Sequence, residues 1–115
     1  MADLVQVSKA IRDTSNQLDD DIKTLTDKIK KSAKAEQKYR VALSRKIIEL
    51  KSEKMPVTLI ADVARGSDEV SNVKFNRDLE TETYKASKEI LKAREAQLSS
   101  LQTLIKYQSD IEGGK

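Results

Sequence analysis

The densest group of candidate metal ligands in the sequence is Asp19-Asp20-Asp21. Three carboxylates can hold a hard cation if their oxygens converge on one point. On a helix, consecutive side chains point about 100° apart, so these three fan out instead of converging. The sequence has no His and no Cys. That excludes imidazole and thiolate metal sites, a cysteine nucleophile, a His-dependent triad and the Glu-x-x-His ligands of di-iron bundles. Gly66 is the only glycine outside the tail, so there is no glycine-rich phosphate loop. No serine or threonine has an evident base. Asp62 and Arg65 are spaced as an ordinary i,i+3 pair, worth about 0.2–0.5 kcal/mol. The expectation is a protein that is not an enzyme and uses no metal and no cofactor.

Charge offers a different kind of site. Net charge is only +3, but residues 28–46 carry eight bases, Lys28, Lys30, Lys31, Lys34, Lys38, Arg40, Arg45 and Lys46, against one acid, Glu36. Such a stretch fits a nucleic-acid or acidic-partner surface. The plainer reading, preferred here, is a solvated helix face: its bases spread round the helix, and Arg40 to Lys46 are partly neutralised by Asp78, Glu80 and Glu82 of a neighbouring helix. A helix-turn-helix reading of residues 59–75 fails. Asp62 stands where a small packed residue is needed, and Asp68 and Glu69 open the second helix with charges that repel phosphate.

The elements that must position these residues are helical. Leu4, Ile11, Leu18 and Leu25 recur every seven residues, and Ile22 and Ile29 make a second row four residues on, which together read as an a/d seam. The seam weakens at Ser32, Glu36 and Lys38. It resumes at Tyr39, Leu43, Ile47 and Leu50 with two steps of four, which shift the stripe around the helix as a stutter does. A first helix is expected over about 3–54, roughly 75–80 Å long if unbroken. Pro56 interrupts it and can open a short helix over about 57–65, with Gly66 as a left-handed cap. Ser67 or Asp68 caps a third helix over about 69–111, where Leu91, Leu98 and Ile105 repeat at seven and the stripe is poor between Lys74 and Lys88. Gly113-Gly114-Lys115 reads as a frayed tail.

The expected fold is therefore all-α, a single helical domain over 1–115. It is a long, coiled-coil-like antiparallel hairpin with a short helix at the bend, and the two polar stretches face each other. At the tip, Tyr39, Leu43, Phe75 and Leu79 are expected to pack beneath Leu59, Ile60 and Val63, ringed by Asp62, Arg65, Arg77 and Asp78. Two helices cover only part of each other's seam, so a homo-oligomeric bundle is expected. No apolar run reaches the roughly 20 residues that span a bilayer, and Met1-Ala2-Asp3 is no secretory signal, so no membrane association and a cytoplasmic location are expected.

One block is more specific. Lys38-Tyr39-Arg40, Ala42-Leu43, Pro56-Val57-Thr58, Asp62, Ala64-Arg65-Gly66, Glu69-Val70, Phe75 and Arg77-Asp78 resemble a group of small helical proteins. That group is encoded in the early regions of tailed phages and prophages of Gram-positive bacteria, often near genes for single-strand annealing recombinases and single-stranded-DNA-binding proteins. The resemblance covers about the middle third of the chain. It implies a setting, phage DNA metabolism or host takeover, and no mechanism. The chain is a poor match to the small helical proteins exported by type VII systems: their Trp-x-Gly is Ala64-Arg65-Gly66 here, and Tyr107 is followed at the tail-motif spacing by Ile111.

The functional expectation is a non-enzymatic interaction module that binds a phage or host protein of DNA replication, recombination or host defence. Arg65, Asp62 and Arg77 are its candidate contacts, with Arg65 foremost. The alternative is a nucleic-acid-binding accessory protein using residues 28–46.

Overall fold

A computed structural model describes residues 3–113. The start at Met1-Ala2 and the tail residues Gly114 and Lys115, read above as no signal and as frayed, lie outside the described residues. The described chain is all-α: α1 spans Leu4–Ser52, α2 spans Val57–Gly66 and α3 spans Asp68–Gly113. Gly113 is still helical, so the fraying expected there does not occur at that residue.

Local chemistry accounts for each boundary. At the start of α1, the Gln6 N–H donates to Asp3 Oδ1 at 2.8 Å and the Asp3 N–H donates to Gln6 Oε1 at 3.2 Å. This reciprocal pair is a capping box, which satisfies two N–H groups that a helix start would otherwise leave bare. At the other end, Pro56 does not stop α1 by itself. Lys54 turns into the left-handed region at φ 62. The Lys54 N–H then donates to the Lys51 carbonyl at 3.1 Å, and the Met55 N–H to the Leu50 carbonyl at 3.2 Å. These two bonds form a Schellman motif, and Met55 packs on Leu50 as the motif's apolar contact. The helix thus ends two residues before the expected Lys54.

Gly66 is not the left-handed cap it was expected to be. It remains helical, and no described glycine has positive φ. Ser67, in extended geometry, ends α2: both its N–H (3.2 Å) and its Oγ (2.7 Å) donate to the Ala64 carbonyl. Its own carbonyl accepts the Ser71 N–H at 2.8 Å, next to the first turn of α3 with Asp68 and Glu69. One serine therefore joins two helices, with its hydroxyl committed to α2.

The chain packs as two compact units. One is Asp27–Lys85; the other combines the chain up to Thr26 with the chain from Ala86 onward. Within Asp27–Lys85, α1 folds back through α2 onto α3. Its core joins Leu50, Ile60 and Ala64 with Leu43, Ile47 and Met55, beside buried Ala35, Tyr39 and Val70. The expected knot at the tip is half right. Leu43 and Ile60 are in it, but Leu59, Val63 and Leu79 are exposed and Phe75 is 70% exposed. Ile60 and Ala64 already fill the face of α2 that meets α1, and Leu59 and Val63 lie on its flank.

The seam also differs from the expected one. The covered row of α1 runs Leu4, Val7, Ile11, Thr14, Leu18, Asp21, Leu25, Lys28, Ser32, Ala35 and Tyr39, at steps of three and four throughout. Ile22 and Ile29 lie outside it and are exposed. The expected shift of the stripe is present: the covered row continues from Tyr39 by two steps of four, through Leu43 to Ile47, and then by three to Leu50. Small and polar residues occupy the d positions, so the heptad persists where the apolar signal fades. In the unit built from the chain ends, Arg94 of α3 meets Gln17 and Asp21 of α1. In the other unit, Arg77 meets Glu36.

Candidate functional site

Arg77 was a candidate partner contact, but its guanidinium is occupied within the chain. It lies on α3 with its carbon 4.3 Å from the Tyr39 ring centre. Nε and Nη2 donate to Asp78 Oδ1 at 3.1 and 2.9 Å, and Nη1 is 3.5 Å from Glu36 Oε2. Glu36 also accepts from Arg40 Nε at 2.8 Å, and Asp78 from Lys74 Nζ at 3.0 Å. The Arg40 hydrogen bond, with help from Arg77, holds the Glu36 carboxyl below its ordinary value. Lys74, and then Arg77, do the same to Asp78. Arg77 is itself raised, chiefly by Asp78. The polar stretches thus meet through Glu36, Tyr39 and Arg77, as expected. Other expected neutralising contacts do not form: Arg40 pairs with Glu36 and Lys46 with Glu49 on their own helix, and Glu82 with Lys85 on α3. Glu80 instead leaves Oε2 buried without a partner.

The short helix α2 carries the other two candidates. Asp62 and Arg65 are both exposed, and no ion pair joins them. Leu59 and Val63, one turn apart, make an exposed apolar strip beside the buried Ile60 and Ala64, while Val57 is 81% exposed. Asp62 borders this strip, and Arg65 points further round the helix. An added Cβ at Gly66, one turn beyond Val63, would meet nothing within 4 Å. The missed residues are therefore Leu59 and Val63. Their signal was a surplus: four large apolar residues on a ten-residue helix that buries only one of them.

The basic residues divide by position. Lys28 and Lys46 lie half-buried on the packed side of α1. Arg40 and Lys31 pair with Glu36 and Asp27. Lys38 and Arg45, about 10 Å apart along the helix, have no ion pair among the described residues. They border an open groove of about 330 Å³ with Gln37, Val41, Ala42 and Val73. Lys30 and Lys34 are exposed.

Of the acidic triplet, Asp21 turns into the seam toward Arg94, while Asp19 and Asp20 face outward. Among the described residues, no three His, Cys, Asp or Glu side chains gather to hold a metal ion. Among them, too, no helix is long and apolar enough to cross a membrane. No family model matches the chain, and neither a curated protein nor a solved structure matches it.

Proposed function

We propose that the chain is a non-enzymatic protein-interaction module that docks through α2. The observation that carries this reading is the exposed Leu59–Val63 strip, held on a helix whose adjacent face is anchored by Ile60 and Ala64. A short helix fixed at both ends by Met55 and Ser67 presents these side chains at little ordering cost. The charge of Asp62, which borders the strip, supplies orientation. The resemblance at residues 38–78 supports a phage setting, with a partner from DNA replication, recombination or host defence. Self-association belongs to the same reading. Few apolar side chains are buried among the described residues, Val7, Tyr39, Leu50, Ile60 and Val70 being the large ones, and a second copy supplies the cover that two helices lack.

The test is capture from phage-infected host cells with the wild-type chain and with Leu59→Asp/Val63→Asp. Capture of a discrete protein that the variant loses, with helicity unchanged, supports docking through α2. Equal capture by both refutes it.

A second reading rests on the unpaired Lys38 and Arg45 at the groove: the chain binds nucleic acid along that flank. Phosphate contacts make affinity fall steeply with salt. Absence of single- and double-stranded DNA binding at low salt rejects this reading.

A further inference from the structure

On α1, Lys38, Val41, Arg45 and Ile48 follow one another at steps of three, four and three. Cation and apolar residue alternate, and each kind repeats at seven, so the four lie along one flank of the helix. Val41 is 43% exposed and Ile48 67%. Beside them, Ala42 and Val73 of α3 line the groove that Lys38 and Arg45 border. The acids nearest in sequence are already engaged. Glu36 lies about 160° round the helix from Lys38 and takes Arg40 and Arg77. Glu49, four residues past Arg45, takes Lys46 at 3.4 Å. Lys38 and Arg45 thus hold unmatched charge at the edge of apolar surface.

We propose that this flank docks an acidic amphipathic helix of a partner protein, laid along α1 in the groove. Its carboxylates, seven residues apart, meet Lys38 and Arg45. Its apolar side chains, at the same spacing, cover Val41 and Ile48 and rest on Val73. Charge complementarity sets the sign of the partner. The alternation sets its shape, because two helices lying side by side bring matching residues together every seven. A nucleic acid matches the two cations but gains nothing from covering Val41, Ile48 and Val73. The site uses none of the residues of the Leu59–Val63 strip and does not depend on docking there.

The probe is a fluorescein-labelled synthetic helical peptide of three heptads, with glutamates at seven-residue spacing and leucines at the same spacing three residues on. Anisotropy titration with the full chain should show saturable binding. Lys38→Glu/Arg45→Glu, both at exposed sites, should weaken it by about tenfold or more with helicity unchanged. A peptide with lysines in place of the glutamates should reverse the preference and bind that variant better than the wild type. Serines in place of the leucines should also weaken binding by about tenfold or more, since charge alone does not hold the helix. Leu59→Asp/Val63→Asp should leave the affinity unchanged; loss of binding there overturns the placement at the groove. The proposal is also overturned if the glutamate peptide does not bind, if it binds wild type and Lys38→Glu/Arg45→Glu equally, or if the wild-type chain prefers a mixed-sequence DNA oligonucleotide to it.

Discussion

Arg94 donates from Nε to Asp21 Oδ2 at 3.0 Å across the α1–α3 seam, while its Nη1 donates to Gln17 Oε1 at 3.0 Å. Both side chains of the ion pair are largely covered, at 27% and 18% exposure. An arginine placed at a seam position leaves no alternative register in which its charge is equally well met, so the contact selects the pairing of these segments. A urea-denaturation cycle of Arg94→Met, Asp21→Asn and the double variant should give a coupling of about 1 kcal/mol. A coupling of zero would mean that the pair contributes nothing to the fold.

Lys54 is the one described non-glycine residue with positive φ. A Cβ in that region is unfavourable, and glycine is the residue best suited to a Schellman turn. Lys54→Gly should therefore stabilise the protein by about 0.5–1 kcal/mol despite the entropy glycine adds to the unfolded chain. Thermal melting reads this as a rise in Tm.

Leu50 sits at the centre of the bend, between Ile60, Ala64 and Met55. Leu50→Ala should cost about 2–4 kcal/mol, the lost transfer energy plus a residual cavity. Phe75→Ala, at an exposed site, should cost under about 0.5 kcal/mol. Equal losses at the two sites would contradict the core assigned here.

The carboxyls of Glu36 and Asp78 are both held below their ordinary values by neighbouring cations. A carboxyl lowered in the fold adds stability above its unfolded pKa, and that stability is lost as pH falls through the folded value. Melting temperature should therefore drop on acidification through the ordinary carboxylate range and below it. The drop should be shallower in Glu36→Gln/Asp78→Asn. An identical acid slope in the variant would place the sensitivity elsewhere.

The helices and their order were legible in the sequence because heptad spacing and a single proline carry that information directly. The exact seam was not. The row of Leu4, Ile11, Leu18 and Leu25 is covered as its spacing predicts, but its companion row is Thr14, Asp21 and Lys28 and not Ile22 and Ile29; both companions keep steps of three and four, so spacing could not choose and hydrophobicity favoured the exposed one. The end of α1 was hidden because a lysine adopts a conformation normally left to glycine, and Gly66 does not use the freedom it has. Arg77 was noticed for its charge, but only the fold reveals that Tyr39, Glu36 and Asp78 occupy it. Leu59 and Val63 looked like core because a short amphipathic helix is usually read as having one apolar face; here it has a buried face and an exposed flank.

The central claim, that α2 is a docking element, is tested most directly by a photo-crosslinking amino acid at residue 63 in infected cells. The account expects a cross-link to one discrete protein other than this chain, abolished by Leu59→Asp. Cross-links only to the chain itself, or none at all while residue 63 remains solvent-accessible, would contradict it.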